Sequence, residues 1–136
     1  MGQKLDHIGI AVRDAEASLR LYRDVLGLTV EGVETVAEQG VRATMLALGD
    51  THVELLEPTG TDTPVGKFIA SRGEGIHHIC VQVEDVKEAL AGAKAAGLRL
   101  IDETPRVGVG GKLIAFLHPK ATGGVLIELS QKGTEA

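Results

Sequence analysis

Four residues carry donor atoms that could hold a metal ion: His7, Glu54, His78 and Glu128. They recur in kind and in order. His7 lies in DHIGIAVRDAEASL, and His78 lies in HHICVQVEDVKEAL, 71 residues further on. Glu54 lies in GDTHVEL, and Glu128 lies in GGVLIEL at an offset of 74. A lone histidine or glutamate in a strand is usually a packing or solvated residue. A set of four repeated in the same order is harder to assign to packing. Imidazole nitrogen and carboxylate oxygen together suit a borderline divalent ion. Two neutral histidines and two glutamates nearly balance its charge and leave coordination positions for a substrate.

The elements that must position these residues follow from the same repeat. At the offset of 71, Ile8 matches Ile79, Val12 matches Val83, Asp14 matches Asp85 and Leu19 matches Leu90. The 136 residues therefore read as one domain, 1–136, built from two copies. Module one spans about 5–57, a linker 58–75 carries a short helix near 64–72, and module two spans about 76–130. In the first copy, alternation over 6–12 predicts a strand. Asp14 is a helix N-cap, and Ala15, Leu19, Tyr22 and Leu26 have helical spacing up to Gly27. Strands follow near 28–37, 41–48 and 52–57. The second copy predicts a strand over 77–83, a helix over 85–96, then strands near 98–102, 112–117 and 124–130. Each copy reads β-α-β-β-β, an α+β pattern with one helix packed on a sheet.

Strand parity sharpens the case for the four residues. Side chains alternate between the faces of a strand. Ile8, Ile10 and Val12 suit the helix-facing side, which turns His7 to the other face. Ile79, Val81 and Val83 do the same for His78. Val53 and Leu55 leave Glu54 opposite the apolar set, and Val125, Ile127 and Leu129 leave Glu128 there. If the two sheets curve toward each other, all four meet in one cleft. Other histidines rank lower. His52 shares the face of Glu54 but has Leu126 as its counterpart; His77 has the wrong parity; His118, before Pro119, reads as a turn residue. Cys80 shares the face of His78 and reads as a small buried residue.

Composition excludes several classes. Fourteen Lys and Arg against nineteen Asp and Glu give a formal charge of −5, which argues against nucleic-acid binding. The three aromatics, Tyr22, Phe68 and Phe116, provide no base-stacking platform. One cysteine excludes an internal disulfide and fits a reducing cytoplasm. The apolar stretch at the N-terminus is short and interrupted by Asp6 and His7, so no signal peptide is expected. No segment approaches the roughly 20 apolar residues of a membrane span. GVGG at 108–111 lacks the spacing of a phosphate-cradling loop and reads as a hairpin loop.

This pattern resembles the vicinal oxygen chelate superfamily, in which paired β-α-β-β-β modules surround a metal. The resemblance implies a curved eight-stranded mixed sheet around a metal-binding cleft. EQGVR at 38–42, GDTHVELLEP at 49–58, GEGIHHI at 73–79, IDETPR at 101–106 and IAFLHPK at 114–120 resemble the methylmalonyl-CoA epimerase family closely. That resemblance implies metal ligation by His7, Glu54, His78 and Glu128. It implies catalysis by Glu38 and Glu128 as opposed proton carriers, exchanging the (R) and (S) epimers through an enolate in propionate metabolism. Glu38 is singled out by the resemblance alone. The family often has glutamine where Glu54 stands. The implied cofactor is one divalent ion, cobalt first, with manganese, nickel, zinc or magnesium as alternatives. The implied partner is a small acyl-CoA, with no nucleic acid or membrane, in a cytoplasmic homodimer. A glyoxalase I-type lyase or a small-ligand-binding resistance protein on the same fold is the alternative.

Overall fold

The computed structural model describes residues 2–132. Among them are eight strands and three α-helices in a mixed α+β arrangement. The chain divides into two compact units. One is His7–His77; the other joins the residues up to Asp6 to those from His78 onward.

In the His7–His77 unit the strand order is β2-β3-β4-β1. These are β1 (Gly2–Ala11), whose residues up to Asp6 belong to the other unit, β2 (Thr29–Val36), β3 (Val41–Leu48) and β4 (Thr51–Pro58). β1 runs parallel to β4, with Gly9 opposite Glu54, and the other pairings are antiparallel. Helix α1 (Ala15–Leu19) starts at Asp14, whose carboxylate accepts from the Glu16 and Ala17 amides. Ala15 N–H donates to Glu57 Oε1 at 2.8 Å, so the end of β4 also caps the helix. The core beneath α1 is Val12, Ala15, Leu19, Leu46, Val53 and Leu55, with Ile10 and Tyr22 packed against it. Helix α2 (Pro64–Arg72) occupies the predicted linker and is capped by Thr63.

The second unit repeats this plan in the order β5-β8-β7-β6. It comprises β5 (Gly75–Val83), α3 (Val86–Ala95), β6 (Arg106–Val107), β7 (Leu113–Leu117) and β8 (Ile127–Gln131). β5 and β8 are parallel, with Cys80 opposite Glu128. Val86 N–H donates to Gln131 Oε1 at 3.1 Å, the repeat equivalent of the Ala15–Glu57 bond. Val83, Val86, Ala89, Leu90, Ala93, Ala115, Leu117 and Leu129 form the core under α3.

Two expectations need correction. The predicted first helix does not run evenly to Leu26. After Leu19 it widens into a π-helix, Arg20–Val25, and Leu26 N–H donates to Leu21 O. This wider winding breaks the 3.6-residue register. Leu26, expected on the buried face, is 58% exposed. The second correction concerns the strand predicted near 98–102. Leu100 makes only an isolated bridge to Leu117, and β6 is two residues long at Arg106–Val107. Asp102 explains the break. Its Oδ2 accepts from Phe116 N–H at 2.8 Å, so a side chain takes the bond that a partner strand's carbonyl would accept.

Candidate functional site

The parity expected from sequence is realised in each unit. On β4, Val53 and Leu55 pack under α1 and Glu54 faces the other way. On β8, Ile127 and Leu129 pack under α3 and Glu128 faces away. The His7–His77 unit brings His7 Nε2 to 3.4 Å from Glu54 Oε2. The other unit brings His78 Nε2 to 2.9 Å from Glu128 Oε1. All four residues are at most 6% exposed. Burying a carboxylate is costly unless it is partnered, and each of these carboxylates faces an imidazole.

Both separations fit ligation of one ion by a pair. Two atoms about 2.1 Å from an ion, subtending about 85–110°, lie about 2.8–3.4 Å apart. Each His–Glu pair is therefore spaced like neighbouring ligands in a coordination shell. Phe116 packs edge-on to His78, with centroids 5.8 Å apart, and limits its rotation. Phe116 is also opposite Glu128 across the β7–β8 ladder. Arg106 stands over the Phe116 ring at 5.3 Å and pairs with Asp102 at 3.5 Å.

Glu38 is exposed on a single turn, Ala37–Gln39. Among the described residues it has no ion-pair or hydrogen-bond partner, which leaves its carboxylate available to an incoming molecule. The turn itself is fixed. Gly40 closes it at φ 65°, its amide donates to Ala37 O, and Thr59 N–H donates to Gly40 O at 2.9 Å. A Cβ at Gly40 would overlap the Thr63 side chain.

The lower-ranked residues have other roles. His52 Nε2 lies 2.7 Å from Glu31 Oε1. His77 packs edge-on against Phe68, and Arg72 stands over that ring. His118 Nδ1 accepts from Lys120 N–H at 3.1 Å and caps a turn. Partial desolvation holds its pKa below the ordinary histidine value, with help from Arg99 and then Lys120. Cys80 is fully buried opposite Glu128.

Sequence reasoning missed three features. Ser130 is 1% exposed, shares the face of Glu128 two residues along β8, and its hydroxyl has no partner among the described residues. Its parity with Glu128 was the available signal. The Gln39 amide nitrogen, beside Glu38, is likewise buried without a partner. Asp6, adjacent to His7, is paired with Lys112 at 3.3 Å, a contact across 106 residues that no local pattern announces.

Comparison with known proteins supplies the family. Residues 6–116 match the Glyoxalase/Bleomycin resistance protein/Dioxygenase superfamily model. The mitochondrial methylmalonyl-CoA epimerase of Mus musculus is 40% identical over 129 residues, covering 94% of this chain and 72% of that protein. The chain belongs to the methylmalonyl-CoA epimerase family of that superfamily. Another family member, the ethylmalonyl-CoA/methylmalonyl-CoA epimerase of Cereibacter sphaeroides, is 40% identical, covering 94% of this chain and 97% of its own. A variant of the Streptomyces coelicolor epimerase, solved with 2-nitronate-propionyl-CoA, matches with a TM-score of 0.93 at 40% identity. That match covers 100% of this chain and 99% of the other.

Proposed function

We propose that the chain interconverts the (R) and (S) epimers of methylmalonyl-CoA by taking the C2 proton from one face and returning a proton to the other. The observation that carries this reading is the buried His–Glu pair repeated in each unit, on the sheet face turned away from the helix, in a chain of this family. In this reading His7, Glu54, His78 and Glu128 would hold a single divalent ion. Cobalt is the first choice, and manganese, nickel, zinc or magnesium are alternatives. When bound, the ion supplies Lewis-acid stabilisation of negative charge developing on the thioester oxygen.

The chain's own residues move the protons. The C2–H bond breaks, its electron pair is delocalised as an enolate, and the Glu38 carboxylate takes the proton. Glu128, on the opposite side, donates a proton to C2 and completes the inversion. The reverse reaction exchanges these roles. A single base would tend to return the proton to the face it left. Glu128 has two oxygens, which allows one to ligate while the other carries a proton. Among the described residues no helix is long and apolar enough to cross a membrane. A cytoplasmic homodimer acting in propionate metabolism, between a carboxylase product and a cobalamin-dependent mutase, completes the proposal.

The test is one assay. Cobalt-loaded protein is incubated with a single methylmalonyl-CoA epimer in deuterated water, and inversion and C2 label uptake are followed together. Both are expected. A protein that leaves both unchanged, yet acts on a glutathione hemithioacetal, overturns the reading. The name of the Cereibacter sphaeroides relative favours a second arm with ethylmalonyl-CoA.

A further inference from the structure

We infer that Asp6 and Lys112 are positioning residues that hold the glycine loop 108–111 over the sheet face carrying His78 and Glu128. The inference rests on the epimerase reading only for its kinetic test.

The loop lies on that face for a steric reason. Ala115 and Leu117 point to the α3 core, so Ile114 and Phe116 point to the opposite side of β7. Ile114 is opposite Ser130, and Phe116 is opposite Glu128. Gly108 sits directly on Ile114. A Cβ there would come within 2.8–3.0 Å of three Ile114 side-chain atoms, so a larger residue would force either Ile114 or the loop to shift. From this point the backbone turns through Val109–Gly111, with Gly110 and Gly111 at φ 74° and 75°. Gly108 N–H donates to Lys112 O at 2.8 Å, and Gly111 N–H donates to Gly108 O. These bonds define the loop's shape. A run containing three glycines has little conformational preference of its own, so something must also fix where the loop lies.

Lys112 provides that anchor. Its Nζ lies 3.3 Å from Asp6 Oδ1 on β1. The two side chains differ sharply in exposure: Asp6 is 8% exposed and Lys112 40%. Burying a carboxylate this deep is costly without partners, and the ammonium at the end of the loop is one of them. The pair accordingly acts through the loop, and neither residue is assigned contact with the reacting atoms.

The experiment uses Lys112→Met, Lys112→Arg, Asp6→Asn and the double variant in the full chain. Amide hydrogen exchange is measured first on metal-loaded, substrate-free protein. Lys112→Met is expected to speed exchange at residues 108–112 by tenfold or more, with β7 and β8 unchanged, and Lys112→Arg to restore protection. Asp6→Asn in the Lys112→Met background should add little. With methylmalonyl-CoA, Lys112→Met should raise KM about tenfold while kcat changes less than threefold. Parent-like exchange and KM in Lys112→Met overturn the inference, as does a uniform loss of protection that Lys112→Arg fails to restore. If the parent lacks epimerase activity, the proposed function fails, and the exchange measurements still decide the role of the pair. Should Lys112→Met not fold, Asp6→Asn and Lys112→Arg carry the same comparison. Parent-like loop exchange in Asp6→Asn then overturns it.

Discussion

Glu38→Gln tests the proposed proton transfer separately from folding and metal binding. Glu38 is exposed on the Ala37–Gln39 turn and makes no hydrogen bond or ion pair among the described residues. The turn's shape comes from Gly40 at φ 65° and its backbone bonds to Ala37 and Thr59, which the substitution leaves in place. An exposed change of this kind shifts stability by no more than about 0.5 kcal/mol. Glutamine keeps the size of the side chain and cannot cycle a proton. Removing a general base costs about 10²–10⁴ in rate, or about 2.7–5.4 kcal/mol at about 1.36 kcal/mol per decade. Inversion of a single epimer in deuterated water should therefore fall at least a hundredfold, at unchanged metal content and unchanged urea midpoint. One epimer should still exchange its C2 proton, because in the proposed mechanism Glu128 serves the other face. Glu128→Gln should behave differently. It replaces a buried carboxylate 2.9 Å from His78 Nε2, so metal content and rate should fall together. Turnover of Glu38→Gln near the parent rate refutes the base assignment and leaves 37–39 as an ordinary turn.

Three further outcomes are expected. Gly40→Ala should lose at least about 1–2 kcal/mol in urea unfolding, the cost of the left-handed backbone. Overlap with the Thr63 side chain adds to this loss and should also lower turnover by displacing Glu38. Cobalt at about a hundredfold over its dissociation constant should stabilise the parent by about 2.7 kcal/mol in thermal unfolding, and His78→Ala should gain much less. His118 should titrate below the ordinary histidine value by NMR, because partial desolvation, Arg99 and Lys120 all oppose its charge. Its unfolded form takes up a proton first, so its stabilising contribution is full above about pH 6.5 and is lost as pH falls toward the lowered folded value. A normal or raised His118 pKa contradicts this.

The two-copy plan and the orientation of His7, Glu54, His78 and Glu128 were legible in the sequence. Both rest on local order: a repeat is read by offset, and a strand's period of two assigns each residue to a face without knowledge of its neighbours. The helix starts at Asp14 and Asp85 were legible for the same reason, since a cap bonds within its own turn. Tertiary structure alone decided what required a distant partner or a backbone departure from regular spacing. Apolar spacing could not show that the first helix would wind as a π-helix after Leu19. Asp102 ends a predicted strand in sequence, and only folding brings its carboxylate to the Phe116 amide, leaving the second module's edge strand as the short β6. Glu57 and Gln131 become helix caps only when β4 and β8 reach Ala15 and Val86. The Asp6–Lys112 contact joins residues 106 apart. Side-chain periodicity is a property of one segment; partner choice is a property of the whole packed chain, and no segment carries it alone.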